Sequence, residues 1–481
     1  MRIGQTSFLQ FVTEIAASAI GFVATIYFAR VLGAEVLGYY SIALAVVTWL
    51  GIGGKIGLSS AITKRMSEET DSYAYFWAGA SIIGSIFVVL AIGVLVFQDQ
   101  LNAYVGEDVH LIVILMLVAV LCNSLFNAAL QGQHKVHIYA VLKPLKIGGR
   151  ALVQVALVLA GLELTGMLIG YSTGWMMSAF VAAIVLTPPF ERPTRRHYKR
   201  LVDFAKYAWI GRVQGKTFSE VDILVLGALV SSALVGVYSI VWALCSFFLI
   251  FGSAISTAMF PEISKHDTDG EHRHVASLTT EALAFAGFVL IPGIIGGILV
   301  GDRVLAIYGT EFVEGQYVLP ILLLGSLLYS YFDQLLNTLN GLDRPDIAFR
   351  VNGLFIVSNV VANVGLVAAI GWTGAAIGTA LSAGLGLIGA FYALGHHLEF
   401  ELPLVEIARQ WVAAIAMGAV VYPVTTFVSP PSESLESTAV TAAIVAGGAV
   451  VYVVVLFAMS PHFRDVVRNN APIEIPRVTG R

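Results

Sequence analysis

The feature that most restricts this chain is a near-unbroken succession of apolar runs, each about long enough to cross a bilayer. A hydrocarbon core of about 30 Å takes roughly 20 helical residues. Lipid offers no partner to exposed backbone N–H and C=O groups, so such runs must be helices. Fourteen are readable, at roughly 9–31, 36–58, 74–96, 109–131, 141–162, 165–187, 204–229, 234–259, 281–300, 316–340, 347–370, 373–395, 403–427 and 436–459. The composition, 57% hydrophobic and 12% charged with mean hydropathy +0.83, lies outside the range of soluble domains. The expected fold class is therefore an all-α polytopic membrane protein with about fourteen transmembrane helices. The weakest of the fourteen is 141–162, whose first half carries Lys143, Lys146 and Arg150.

Lys and Arg set the orientation. With the N-terminus inside, nearly all basic loop residues fall on one side, densest in RPTRRHYKR (192–200), which reads as a topology anchor beside anionic lipid. The opposite loops carry acids such as Glu35, Glu107, Asp108, Glu311 and Glu314. An even number of spans then puts both termini in the cytoplasm of a multi-pass protein of the cell membrane. The start, MRIGQTSFLQF, has no cleavable signal pattern, so its first run is retained as a span.

The chain also repeats itself. Gly38-Tyr39-Tyr40-Ser41-Ile42 recurs as Gly236-Val237-Tyr238-Ser239-Ile240, and Thr165-Gly166-Met167-Leu168-Ile169-Gly170 as Thr373-Gly374-Ala375-Ala376-Ile377-Gly378, at offsets of 198 and 208. Six spans per unit give both units the same orientation, related by an axis along the membrane normal. The expected organisation is an N-terminal lobe (1–203), a C-terminal lobe (204–400) and two added helices with a tail (401–481), with a substrate cavity between the lobes.

Charges inside spans are expensive and mark function or pairing. Arg212, Lys216 and Glu220 follow at i, i+4, i+8 in 204–229, on one face of a helix at about 6 Å per step. Glu220 is able to neutralise Lys216 one turn away, which leaves one positive charge over. Asp222 points elsewhere and reads as framework. Glu14 in the first span is either a proton or cation site or the partner of Arg212 or Lys55. Lys55 ends the second span, where it snorkels to the inner surface or meets substrate. Asp333, one turn before Asn337, lines the inner vestibule or pairs with a cation. Gly293, Gly297 and Gly301 form a small-residue stripe for close helix packing. Cys122 and Cys245 lie within apolar runs, and the histidine pairs His134/His137 and His272/His274 have no completing ligands, so neither disulfide, metal nor cofactor is expected.

Several stretches, in order, resemble one family. They are ARVLGAEVLGYYSIALA (29–45), SEVDILVLGALVSSALVGVYSI (219–240), SAISTAMFPEIS (253–264), YGTEFVEGQYVLPILLLG (308–325), LNGLDRPDIAF (339–349) and NVGLVAAIGWTGAAIGTALS (363–382). The chain is similar to the oligosaccharide-flippase branch of the multidrug/oligosaccharidyl-lipid/polysaccharide exporter superfamily. The resemblance implies a V-shaped, two-lobe transporter that works by alternating access and is not an enzyme. It implies a lipid-linked oligosaccharide as substrate, moved from the cytoplasmic to the outer leaflet, and a functional link to glycosyltransferases and to an oligosaccharyltransferase or polymerase. Membrane lipids are the other partners, and no nucleic acid is expected. Basic cavity residues hold the carrier's phosphate or pyrophosphate in such flippases; the matching positions are Arg212, Lys216 and Lys55. Asp333 joins them as substrate lining, and Glu14 and Glu220 as coupling carboxylates.

Two other functions fit such a chain less well. A membrane glycosyltransferase or polymerase needs a large external loop, and the longest here, about 97–108, is too short. An exporter of small amphipathic molecules, coupled to cations, usually has twelve spans and a less cationic cavity. The 18 Arg to 9 Lys and the acidic outer loops suit a high-salt host. The carrier would then be an archaeal dolichol phosphate serving surface-layer glycoproteins, although a bacterial polyprenyl carrier fits the cavity equally well.

Overall fold

The computed structural model describes residues 3–470 except 56, 69–71, 209, 269 and 429; for the helical residues 3–19, 136, 207–208, 210–214 and 466–470 it describes the backbone alone. In chain order the helices are α1 (Ile3–Lys55), α2 (Leu58–Glu68), α3 (Ser72–Val96), α4 (Gln98–Val105), α5 (His110–Gly132), α6 (Val136–Leu159), α7 (Glu163–Leu186), α8 (Arg195–Ala208) and α9 (Ile210–Leu229). There follow α10 (Ser232–Thr268), α11 (His272–Ala286), α12 (Leu290–Ala306), a 3-10 helix (Thr310–Tyr317), α13 (Val318–Gly341), α14 (Pro345–Ile370), α15 (Thr373–Gly395), α16 (Leu404–Phe427), α17 (Leu435–Met459) and α18 (Pro461–Asn470). Among the described residues, eleven helical stretches are long and apolar enough to span a membrane. The chain is thus an all-α polytopic membrane protein.

The helices explain themselves locally. α3 exposes Val88, Val89, Ile92 and Val96, and α14 exposes Val357, Val361 and Val364, the surface a lipid-facing helix needs. α1 contains the first two expected runs and breaks at Gly33 (φ 79°, ψ 174°), a conformation costly for any residue with a Cβ. α6, with Lys143, Lys146 and Arg150, and α9, with Lys216, Glu220 and Asp222, are not among the eleven. The basic stretch read as a loop begins at Arg195 to form α8, which also takes residues 204–208 from the expected seventh span. Its apolar side is the reason: Leu201 and Ala205 are buried in a core with Tyr75, Phe76, Ile62 and Leu121, while Lys199 and Arg196 stay outside. The expected ninth span is displaced, divided between α11 and α12 around residues 287–289.

By packing, the chain falls into two compact units, Met1–Ser239 and Ile240–Arg481. In the first, α7 lies against α5 and α6, α1 against α6, and α9 against α1 and α4. In the second, α15 lies against α13 and α14, and α16 and α17 pack on α12. Lipid tails are as apolar as leucine, so helices in a membrane associate by close fit and polar contacts rather than by hydrophobic exclusion.

Both repeated motifs are such fits. A Cβ on Gly166 would press on Leu157, one on Gly170 on Gln154, and one on Gly174 on Arg150, so this side of α7 is a glycine rail for α6. Gly374 and Gly378 do the same for α15 against Leu366 and Ala362 of α14. Within the first unit, Gly38 abuts the carbonyl of Ser232, and Gly236 that of Ala34. These four residues are equivalent pairs at the offset of 198, so the two copies of one motif touch reciprocally. The stripe of Gly293, Gly297 and Gly301 packs against Phe248, Leu323 and Leu319.

Candidate functional site

The antiparallel pair α6 and α7 brings two cations and two aromatic rings together midway along helices of span length. Gly161 (φ 82°) turns the chain between them, and the rail of Gly166, Gly170 and Gly174 draws the helices together. Lys146 and Arg150 are one turn apart on α6; Tyr171 and Trp175 are one turn apart on α7. The antiparallel register therefore sets Lys146 over Trp175, with Nζ 4.0 Å from the ring centroid, and Arg150 over Tyr171 at 5.2 Å. Arg150 also approaches the Tyr40 ring at 6.0 Å.

Gln154, one further turn along α6 and almost wholly buried, fixes the arrangement. Its Oε1 accepts from Arg150 Nε at 3.2 Å, and its Nε2 donates to Tyr40 Oη at 3.0 Å and to the Met167 carbonyl at 2.7 Å. Among the described residues, no carboxylate lies within ion-pair distance of Lys146 or Arg150. A cation at the centre of a span costs roughly 2.5–3.5 kcal/mol on the insertion scale. An aromatic face returns about 0.5–2 kcal/mol. The rings therefore offset only part of the cost, and the terminal N–H groups of Arg150 and the Lys146 ammonium have no acceptor among the described residues.

The sequence-predicted residues are distributed differently. Lys216 Nζ meets Glu220 Oε1 at 3.3 Å, the intrahelical pair allowed by their spacing; the Lys216 side chain is 46% exposed and that of Glu220 22%. The same neighbourhood includes Tyr171, which lies within electrostatic reach of Glu220. Lys55 is the half-buried last residue of α1. The side chains of Arg212 and Glu14 lie outside the described residues. Asp222 is buried and accepts a hydrogen bond from Tyr238, a framework contact within the first unit.

Asp333 belongs to the second unit. Its carboxylate accepts from Ser256 Oγ at 3.0 Å, while Asn337 and Gln334 donate to the carbonyls of Ser256 and Gly252 at 2.7 and 3.1 Å. This polar strip of α13 thus faces α10. Nearby in the same unit, an apolar cavity of about 270 Å³ is lined by Phe248, Gly293, Gly297, Met417 and Tyr452. The break between α11 and α12 frees the carbonyls of Ala284 and Phe288, which Gln410 and Tyr452 satisfy at 2.6 and 2.9 Å. The C-terminal helices α16 and α17 are tied on by these bonds. No cluster of three or more potential metal-ligating side chains occurs among the described residues.

Lys146 and Arg150 were visible in the sequence only as charges that made 141–162 a poor span. The signal that would have found the site is the matched i, i+4 spacing of two cations, two aromatics and the glycines Gly170 and Gly174 across one short turn.

The fold places the protein in a class. Its backbone matches that of a solved structure titled "Lipid II flippase MurJ, inward closed conformation" with a TM-score of 0.80, at 15% identity, over 96% of this chain and 100% of that one. It also matches the inward-facing conformation of a multidrug resistance MATE family transporter of the MOP superfamily, with a TM-score of 0.64 and 13% identity, over 79% of this chain and 94% of that one. The chain shares its fold with these two proteins.

The sequence narrows the class. Residues 3–266 match the family model described as "Polysaccharide biosynthesis protein", and residues 231–441 the one described as "Lipid II flippase MurJ". The chain is 30% identical to "Probable flippase AglR" of Haloferax volcanii, over 97% of this chain and 98% of that one. It is 25% identical to "Probable low-salt glycan biosynthesis flippase Agl15" of the same organism, over 88% of this chain and 90% of that one. The chain belongs to the polysaccharide biosynthesis protein family, in the flippase branch that its motifs resemble.

Proposed function

We propose that this protein is a flippase that moves a lipid-linked oligosaccharide, on a polyprenyl or dolichol phosphate carrier, from the cytoplasmic to the outer leaflet of the cell membrane. The glycan is then used in cell-surface assembly, in the archaeal case on surface-layer proteins. The observation that carries this reading is the full-length similarity to the Haloferax volcanii flippase. The mid-membrane cations, which call for an anionic ligand, support it.

Fourteen spans are supported by counting α1 as two spans about Gly33 and adding α6 and α9 to the eleven stretches. Both termini are then cytoplasmic, as the Lys and Arg distribution requires. Functional lobes at 1–203 and 204–400, with 401–481 added, are supported by the sequence repeat and by the reciprocal Gly38 and Gly236 contacts. The packing units divide later in the chain because α9 lies against α1 and α4.

Arg212, Lys216, Lys55 and Asp333 contact the substrate in this reading, and Glu14 and Glu220 couple its movement to a cation. The Lys216–Glu220 pair supports that use: an arriving phosphate competes for Lys216 and releases Glu220 to bind a cation. Glycosyltransferases supply the substrate, and an oligosaccharyltransferase or polymerase consumes it.

Deletion of the gene is the test. Lipid-linked glycan should accumulate in the inner leaflet while the transferred surface glycan disappears. Intact surface glycosylation in the deletion strain would overturn the flippase reading.

A further inference from the structure

We propose that Lys146 and Arg150, stacked on Trp175 and Tyr171, form an anion seat at mid-membrane that holds the phosphate group of the lipid-linked glycan; this rests on the flippase reading. Three independent features of the first unit point to it.

The first is placement. α6 runs from Val136 to Leu159, so Lys146 and Arg150 lie in its middle rather than at an end where long side chains reach water. The second is pairing. Among the described residues these two cations have no carboxylate partner, whereas Lys216 on α9 is already neutralised by Glu220. A phosphate entering at α6 displaces no carboxylate, so this pair receives it first, and only its passage on to Lys216 breaks an ion pair and releases Glu220.

The third is construction. Gln154 holds Arg150 by Nε, which leaves both terminal nitrogens of the guanidinium, the groups that grip phosphate oxygens, without an acceptor among the described residues. Trp175 steadies the Lys146 ammonium while leaving its N–H groups without a hydrogen-bond acceptor among the described residues. The rings limit the freedom of both side chains and so reduce what binding must order. Two cations one turn apart suit one phosphate or the two phosphoryl groups of a pyrophosphate.

The seat also supplies its own reporter. An ammonium against an indole ring perturbs its fluorescence, and an anion that draws Lys146 away from Trp175 changes that emission.

The test uses the full-length protein in lipid nanodiscs with three probes: a polyprenyl phosphate, the uncharged polyprenol, and inorganic pyrophosphate. Binding of each isotope-labelled probe is followed by equilibrium filtration, and the emission change of Trp175 on anion binding, absent from Trp175→Phe, reports occupancy of the seat in the wild type. Polyprenyl phosphate should bind at least about tenfold more tightly than polyprenol, since a hydrogen bond to a charged group is worth that much or more. Lys146→Gln and Arg150→Gln should each remove most of the difference, and Arg150→Lys should restore part of it. Polyprenol binding should be unchanged, which shows that the variants are folded. Competition by pyrophosphate would establish that the seat reads the phosphate and the prenyl chain adds affinity; absence of competition, with phosphate discrimination intact, would place the anion elsewhere and overturn the proposal.

Equal binding of polyprenyl phosphate by wild type and by the folded double variant would also overturn the seat, and the flippase reading would stand. A carboxylate of this chain neutralising the pair predicts that result. Failure of the flippase reading would appear separately, as intact surface glycosylation in the deletion strain.

Discussion

Replacing Gln154 with methionine should loosen the α6–α7 pair without reshaping it. Methionine keeps the length and unbranched Cγ of glutamine, which matters because Gly170 lies directly against that Cγ. Three hydrogen bonds are lost. Those to Tyr40 and Met167 are neutral, and such bonds in membrane proteins average about 0.6 kcal/mol. The one from Arg150 is charge-assisted and worth about 1.5–3 kcal/mol. The expected loss is about 3 kcal/mol, read from reversible unfolding by denaturing detergent in reconstituted bilayers. Gln154→Glu separates stability from binding. A carboxylate 3.2 Å from Arg150 Nε keeps that contact as an ion pair and lets the Tyr40 hydroxyl turn to donate, but it cannot donate to the Met167 carbonyl, so it should lose less stability than Gln154→Met, while an anionic ligand now meets a neutralised cation and binds about tenfold more weakly. A Gln154→Met protein as stable as wild type within about 0.5 kcal/mol, or a Gln154→Glu protein with unchanged phosphate binding, would refute the reasoning.

Other perturbations follow from the same contacts. Gly174→Ala forces a Cβ against Arg150 and the Lys146 carbonyl and should cost about 1–3 kcal/mol, whereas Gly148→Ala on α6, with open space around it, should be neutral or slightly stabilising in the same unfolding assay. Gly38→Ala and Gly236→Ala each drive a methyl into a backbone carbonyl that cannot turn aside, so each should lower the melting temperature in detergent more than Gly53→Ala, which meets nothing. Burial pushes the Tyr104 hydroxyl, on the short helix α4 outside the spans, up to about 12, while it donates to the Leu224 carbonyl at 2.6 Å. A raised folded-state value means that its stabilisation is complete below pH 10 and is lost as the pH rises from about 10 to 12; this part of the alkaline destabilisation should be missing from Tyr104→Phe in pH-jump melting curves.

Much of the architecture was legible because it depends on sums over neighbouring residues. Hydropathy over twenty residues does not care what lies across the membrane, and every one of the fourteen expected runs contains helix. The exceptions have local causes. Residues 204–208 were assigned to a span because their apolar residues were counted, but Ala205 and Leu201 use that character to dock α8 on the core beneath it. The break at residues 287–289 depended on Gln410 and Tyr452, more than a hundred residues away, to satisfy the freed carbonyls.

The candidate site was less legible for the same reason. Lys216 and Glu220 belong to one helix, so their pairing could be anticipated from spacing alone. Whether Lys146 has a carboxylate, an aromatic ring or nothing beside it depends on the register of α6 against α7, which Gly161 and the glycine rail set. The sequence thus carries in its order the membrane class, the helices, the internal repeat and the flippase family. Tertiary structure decided which buried charges are already neutralised and which remain open to a ligand. Burial in lipid is a property of a segment, but the compensation of a charge is a property of its neighbours within a few ångströms, and only packing brings those neighbours together.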